Sequence, residues 1–116
     1  MIEKLAQSQG RSIGFRVSGD VSKADYEVLD PDVAQVVAEY GSANLLCDLT
    51  DFHWEKAEAW RSDMDFGKKY HKKIHRMAIV GDKRWEKLVA DLASPFYATE
   101  SAFFATQAQA WDWLGE

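Results

Sequence analysis

The residues best able to do chemistry lie in one short segment, residues 48–54 (DLTDFHW). It brings together two carboxylates, a hydroxyl, an imidazole and an indole. Asp48 and Asp51 could act as an acid–base pair, and either carboxylate could orient His53. However, the sequence has no Gly-x-Ser-x-Gly nucleophile elbow, and no third catalytic group is identifiable. The structural interpretation, which the sequence favours, is that Thr50 or Asp51 caps the following helix and His53 is a loop residue.

A second candidate lies in residues 81–85 (GDKRW), which contain Asp82, Lys83 and Trp85. A helix N-terminus with a basic side chain in its first turn attracts anions, because its unpaired N–H groups and the helix dipole favour negative charge. Asp82 at the expected cap position opposes this attraction. Because neither a Walker A motif nor Gly-x-Gly-x-x-Gly is present, the sequence does not favour a nucleotide phosphate site.

Two histidines and the single cysteine suggest other chemistry, but their surroundings do not support it. His71 and His75 have the spacing that places two imidazoles on one helical face for a metal. Lysines lie between them, the glutamate of the zinc protease motif is absent, and His75 is expected beyond the helix end. Cys47 lies in an apolar run, where a thiol behaves as a small core residue. We therefore predict no metal and no cofactor.

The charge distribution is uneven. The net charge is -5, from 19 acidic and 14 basic residues, which argues against a general affinity for nucleic acid. A basic patch nevertheless occupies one stretch without an acid: Lys68, Lys69, Lys72, Lys73 and Arg76. The pattern places it in the last turn of a helix, where positive charge complements the helix dipole. The patch is either a solvated helix end or a docking surface for an acidic partner or an anionic lipid headgroup.

Hydrophobic periodicity predicts the elements that must position these residues. The predicted strands are residues 2–7 and 11–18, which form a β-hairpin, then 43–49, 77–80 and 98–105. The predicted helices are residues 22–40, 54–73, 85–96 and a terminal helix capped by Thr106. Because the residue before a proline disfavours helical angles, Asp30-Pro31 predicts a kink or a short preliminary helix at 22–29, and Gly41 ends the first helix.

The resulting order, β-β-α-β-α-β-α-β-α, predicts an α/β domain with a mixed, mostly parallel five-stranded sheet flanked by helices. We predict a single domain over residues 1–116, since a chain of this length leaves no room for a second core. The runs around Cys47 and Ile79 are expected to be neighbours. Ligands of such sheets bind at the carboxyl ends of the strands, which is where residues 48–54 and 81–85 begin.

Composition limits the class of protein. Hydrophobic residues make up 47% of the chain and charged residues 28%, which excludes a disordered tail, a collagenous repeat and a coiled coil. No apolar run approaches the length of a membrane span, and the first residues lack the apolar core of a signal peptide. We therefore predict a cytoplasmic protein without integral membrane association.

Three segments give the chain a family resemblance: residues 45–49 (LLCDL), 76–85 (RMAIVGDKRW) and 110–114 (AWDWL). With the order of elements, they resemble the bacterial SpoIIAA-like family of STAS-fold proteins over almost the whole chain. The resemblance implies a compact α/β domain related distantly to anti-sigma-factor antagonists and, in fold, to Sec14-type lipid carriers. Such antagonists carry a phosphorylatable serine in an Asp-Ser-Ser/Ala-Gly motif after the third strand. This chain has residues 50–54 (TDFHW) there, with Thr50 as the hydroxyl, so the phosphorylation switch is not carried over.

These observations favour a non-enzymatic binding or regulatory module that contacts a protein partner or a small apolar ligand through residues 50–60 and 82–88. The residues expected on this surface are Asp48, Thr50, Asp51, His53, Trp54, Trp60, Asp82, Lys83 and Trp85. A first alternative is a carrier of a small lipid-like molecule, whose apolar cleft would be lined by Trp54, Trp60, Phe66 and Trp85. A second alternative is an enzyme that uses Asp48, Asp51 and His53. Aromatic side chains at the surface also allow a homodimer.

Overall fold

The computed structural model describes residues 1–19, 23–52, 73–82 and 98–115. The strands in these ranges are β1 (Ile2–Lys4), β2 (Ser12–Val17), β3 (Ala43–Asp48), β4 (Ile74–Val80) and β5 (Glu100–Phe104). The helices are α1 (Lys23–Tyr40) and α2 (Gln107–Leu114). The helices predicted at 54–73 and 85–96 lie outside the described residues.

The five strands form one sheet in the order β1-β2-β3-β4-β5. The hairpin partners β1 and β2 are antiparallel, and the other three neighbouring pairs are parallel. This confirms the predicted mixed, mostly parallel five-stranded sheet. Cys47 of β3 lies opposite Ile79 of β4 in the register, which confirms that the two buried runs are neighbours.

One face of the sheet packs against α1. Phe15, Leu45 and Met77, one from each of three adjacent strands, are fully buried in the same core cluster as Leu29 and Val33 of the helix. Alternate residues of a strand point to opposite faces, so the period-two pattern of β2 places its apolar side chains on this face. Each fully buried apolar side chain of this size contributes about 2 kcal/mol through burial.

The opposite face packs against α2. Leu46, Ala78 and Val80 of the sheet form a second cluster with Ala110 and Leu114 of the helix. The strands β3 and β4 are therefore covered on both faces, which explains why their sequences are almost continuously apolar instead of alternating. The sheet is the middle layer between the two helices.

Polar contacts fix both ends of α2. At its N-terminus, Thr106 Oγ1 accepts a hydrogen bond from the N–H of Gln109 at 3.3 Å, which confirms the predicted cap. At its C-terminus, Asn44 Nδ2 donates to the carbonyl of Leu114 at 3.1 Å, and Arg76 Nη1 donates to that of Trp113 at 2.6 Å. These bonds satisfy carbonyls that have no partner inside a helix. Because Asn44 lies near the start of β3 and binds the C-terminal end of α2, this helix runs antiparallel to the strand.

At Asp30-Pro31 the sequence predicted either a kink or a short preliminary helix, and the second alternative is wrong. The helix α1 continues from Lys23 to Tyr40 with Pro31 inside it. Leu29 and Val33, on either side of the proline, are both fully buried, so core packing outweighs the local preference. Gly41 ends the helix as predicted, with a φ of 83° and an N–H that donates to Val37 O at 2.8 Å. In the described parts of the chain, no helix is both long and apolar enough to cross a membrane.

Candidate functional site

The segments that leave β3 and β4 begin at the same edge of the sheet. Asp48 and Val80 are opposite each other in the register, and the N–H of Leu49 donates to Val80 O at 2.7 Å. Thr50, Asp51 and Asp82, which follow these strands, are exposed. We call these three residues the strand-end surface. Two loops whose residues Asp51 and Asp82 are 31 positions apart in the sequence are thus brought to the same edge, as expected for the carboxyl ends of parallel neighbours.

The buried carboxylate of Asp48 holds the first of these loops, which contains Thr50 and Asp51, in place through hydrogen bonds. The side chain is 6% exposed, and its Oδ1 accepts hydrogen bonds from the N–H of Thr50 at 2.9 Å and from the Thr50 hydroxyl at 2.5 Å. Its Oδ2 accepts a hydrogen bond from Gln107 Nε2 at 2.6 Å and lies 3.8 Å from Arg16 Nε. Both oxygens are therefore engaged by the chain itself, and hydrogen bonds to a charged acceptor are among the stronger ones in proteins.

The backbone of Asp51 is bonded to a different segment of the chain. Its backbone carbonyl accepts a hydrogen bond from Gly19 N–H at 3.2 Å, which ties the loop to the end of the β1–β2 segment. Phe52, the next residue, is buried at 6% exposure and anchors the turn in the core. With its neighbours held in this way, the exposed Asp51 is displayed at the strand-end surface.

Several predicted site residues lie outside the described residues: His53, Trp54, Trp60, Phe66, Lys83 and Trp85. The residues predicted to line the apolar cleft of a lipid carrier therefore lie outside the described residues, and so does the His53 imidazole of the enzyme alternative. Of the predicted site residues at this edge, the structure brings Asp48 and Thr50 into direct contact and places Asp51 and Asp82 at the same end of the sheet.

Sequence reasoning missed Gln107 and Arg16, the two side chains that meet Asp48 from other elements. Arg16 lies opposite Asp48 in the β2–β3 register, so the pairing of these strands identifies it. Gln107 follows the helix cap Thr106 directly, and a cap residue indicates where a helix starts but not which strand it starts beside. No local pattern in the sequence therefore indicates that Gln107 bonds to Asp48.

The basic patch requires a correction at Arg76. This residue was predicted to lie at a helix end, but it belongs to β4, which begins at Ile74. Its guanidinium lies 5.1 Å from the ring centroid of Trp113, and its Nε lies 3.2 Å from Glu100 Oε2. Strand pairing explains the difference, because Arg76 lies opposite Asn44 on one side and Glu100 on the other. Its charge is used to hold α2 on the sheet.

The remaining patch residues give less information. Lys73 is exposed next to the start of β4, whereas Lys68, Lys69 and Lys72 lie outside the described residues. His75 is exposed in β4 and hence beyond the predicted helix, as expected, and His71 also lies outside the described residues. With Arg76 bound to α2, the docking interpretation of the patch depends on its lysines.

The thiol next to Asp48 belongs to the core. Cys47 is fully buried on the α1 face, and burial, together with the neighbouring Asp48 carboxylate, raises the pKa of its thiol to about 12. The thiol therefore stays protonated at neutral pH and is a poor nucleophile. This confirms its interpretation as a small core residue.

The raised pKa of Cys47 predicts a loss of stability in alkali. An unfolded thiol ionises above its ordinary pKa of 9.0, whereas the folded one keeps its proton until about 12. The unfolded state then binds fewer protons, so the free energy of unfolding should fall as pH rises through this window, by up to about 1.4 kcal/mol per pH unit. Denaturant titrations of the wild type and Cys47→Ala across that range measure it. Equal slopes for the two proteins would contradict the prediction.

The fold and the comparisons together identify the class of protein. A mixed, mostly parallel sheet between helices, with loops meeting at the ends of β3 and β4, defines a small α/β domain. The family model described as SpoIIAA-like matches residues 12–115, so the chain belongs to the SpoIIAA-like family.

A solved structure supports the same fold. It is an uncharacterized protein of the DUF3478 family with a SpoIIAA-like fold from Shewanella loihica PV-4. The likeness has a TM-score of 0.70 and a sequence identity of 24%, and it covers 98% of this chain and 92% of that chain. No curated protein matches the chain. The resemblance found in the sequence is thereby confirmed at the level of family and fold.

Proposed function

We propose that this protein is a non-enzymatic binding or regulatory module, which contacts a protein partner through the strand-end surface. The observation that carries the proposal is the bonding of Asp48. Its carboxylate accepts from the backbone and hydroxyl of Thr50 and from Gln107, so it shapes the loop that displays Thr50 and Asp51. A loop set rigidly on a strand end is suited to recognition.

The same bonding argues against acid–base catalysis at this edge. A general base must reach a proton on the substrate and accept it. The Asp48 side chain is only 6% exposed, and both of its oxygens already accept hydrogen bonds. Within the described residues, no hydrogen bond or ion pair orients the side chain of Asp51. The Asp48 carboxylate is therefore already used by internal hydrogen bonds, and the Asp51 carboxylate lacks the fixed geometry that catalysis requires.

The exposed charge of the strand-end surface indicates what a partner should offer. Asp51 and Asp82 are both exposed at this edge, and charges on an interface rim mainly set the association rate and the choice of partner. A partner with basic groups opposite these carboxylates would be complementary. Reversing the charge of Asp51 should then weaken binding without affecting the fold.

The test compares two charge reversals in the full-length protein. Asp51→Lys alters the strand-end surface, whereas Glu39→Lys makes the same charge change at an exposed position near the end of α1, where β3 starts. Each protein is immobilised and used to capture partners from an extract of the native host. Proteins captured by the wild type and by Glu39→Lys should be lost with Asp51→Lys. Equal capture by all three would refute the proposed surface.

A further inference from the structure

A groove lies at the other end of the sheet, between the β1–β2 loop and the C-terminal end of α2. It is an open groove with a volume of about 420 Å³, lined by Gln7, Gln9, Ser12, Trp111 and Gly115. Ser12 begins β2, so the groove is separated from the strand-end surface by the length of the strands. The following inference is therefore independent of the proposed function.

The loop wall of the groove is held in place by its own hydrogen bonds. The Ser8 hydroxyl donates to Leu5 O at 2.8 Å and accepts from the N–H of Gly14 at 3.0 Å. Gln9 and Ser12 exchange backbone hydrogen bonds of 2.8 and 3.0 Å. These bonds fix the loop without using the side chains that face the groove, so the wall exists before any ligand arrives.

The opposite wall depends on a glycine. A Cβ at position 14 would lie 2.7 Å from Cη2 and 2.8 Å from Cζ2 of Trp111, so only glycine lets the indole lie against β2. The indole is thus held at a fixed place along the groove. It supplies a rigid aromatic surface with few rotatable bonds, a common feature of binding sites.

Within the described residues, the polar side chains of the groove have no hydrogen-bond partners. In the described part of the chain, no hydrogen bond is made by the amides of Gln7 and Gln9, the hydroxyl of Ser12 or the indole N–H of Trp111. The indole nitrogen is also shielded from solvent. A buried donor without an acceptor is costly and uncommon in proteins. By contrast, the hydroxyl of Ser8 in the same loop both donates and accepts a hydrogen bond.

The chemistry of the lining restricts the ligand. Among the described residues, none of the side chains that line the groove is charged, so these side chains offer nothing to neutralise an ionic ligand. Amide groups present a donor and an acceptor side by side, which matches adjacent hydroxyl groups, and an indole packs well against C–H groups. The volume is within the range of small-molecule sites. We propose that this groove binds a neutral sugar, with Gln7 and Gln9 bonding its hydroxyls and Trp111 packing beside its ring.

Ligand-observed NMR on the full-length protein tests this proposal. D-glucose and N-acetyl-D-glucosamine serve as neutral probes at millimolar concentration, and D-glucuronate serves as the charged comparison. Saturation should pass from the protein to the ring protons of at least one neutral sugar, and more weakly to glucuronate. A double variant, Gln7→Ala with Gln9→Ala, should weaken binding at least fivefold. Gln35→Ala, an exposed glutamine on α1, is the matched control and should bind like the wild type.

Three outcomes of these experiments would overturn the proposal. It is wrong if neither neutral sugar receives saturation, if the double variant binds as well as Gln35→Ala, or if glucuronate binds best. The substituted glutamines are exposed and their side chains make no hydrogen bond in the described residues, so loss of folding is not expected. Circular dichroism of the variants verifies that their structure is unchanged.

Discussion

Replacing Gly14 by valine should lower the free energy of unfolding by about 3 kcal/mol, at the upper end of the usual cost of overpacking. The new Cβ would lie within 3.0 Å of both the Trp111 ring and Leu5 Cδ1, and valine adds two methyl groups beyond it. Trp111 must then leave β2, which disturbs the core beneath α2. Urea unfolding followed by circular dichroism measures the loss.

Two comparisons separate this clash from a general effect of removing a glycine. Gly115→Ala should cost little, because a Cβ there would meet its nearest atoms at 3.5 and 3.7 Å, which is ordinary contact. Combining Gly14→Ala with Trp111→Leu should cost less than the sum of the two single changes, since the smaller side chain leaves room for the methyl group. Strict additivity, or a Gly14→Val protein as stable as the wild type, would contradict the described packing.

Asp48→Ala should also destabilise the protein by about 3 kcal/mol, since it removes the acceptor of three hydrogen bonds at a buried position. The Thr50 loop and the N-terminus of α2 are both attached to this one carboxylate. Hydrogen exchange should therefore increase in both places at once. Urea unfolding and exchange measured by NMR check the two parts of this prediction.

The matched variants are Asp48→Asn and Asp51→Ala. Asparagine keeps one oxygen for Thr50, and the amide of Gln107 can rotate to offer its own oxygen to the new amino group, so the loss should be roughly half that of alanine. Asp51 is exposed, so Asp51→Ala should change stability by less than about 0.5 kcal/mol. If Asp48→Ala were no more harmful than Asp51→Ala, the role assigned to Asp48 would be wrong.

Most of the sheet could be predicted because its signals are local. The alternation around Phe15 and the apolar runs around Cys47 and Ile79 each identify a strand without reference to the rest of the chain. Two features could not be predicted in this way: the continuity of α1 at Pro31 and the start of β4. Pro31 favours a break, but burial of the residues beside it keeps α1 continuous, and Arg76 extends β4 because it finds partners on both neighbouring strands.

The candidate site was predictable in position but not in its contacts. The rule for parallel strands places Asp48 and Asp82 at one edge, and that inference needs only the order of elements. The bonds from Gln107 to Asp48 and from Asn44 to Leu114 join residues that are 59 and 70 positions apart, and no local pattern encodes them. Such long-range bonds depend on how α2 lies across the sheet.

The position of α2 has a consequence for how the protein is made. This helix covers Leu46, Ala78 and Val80, and its Trp111 rests on Gly14, so the last described helix completes a layer begun by the first strands. During translation, the chain must emerge from the ribosome beyond residue 114 before that layer can close. Until then the apolar side chains of β3 and β4 that α2 covers lack this helix, so this layer of the core should form late in folding on the ribosome.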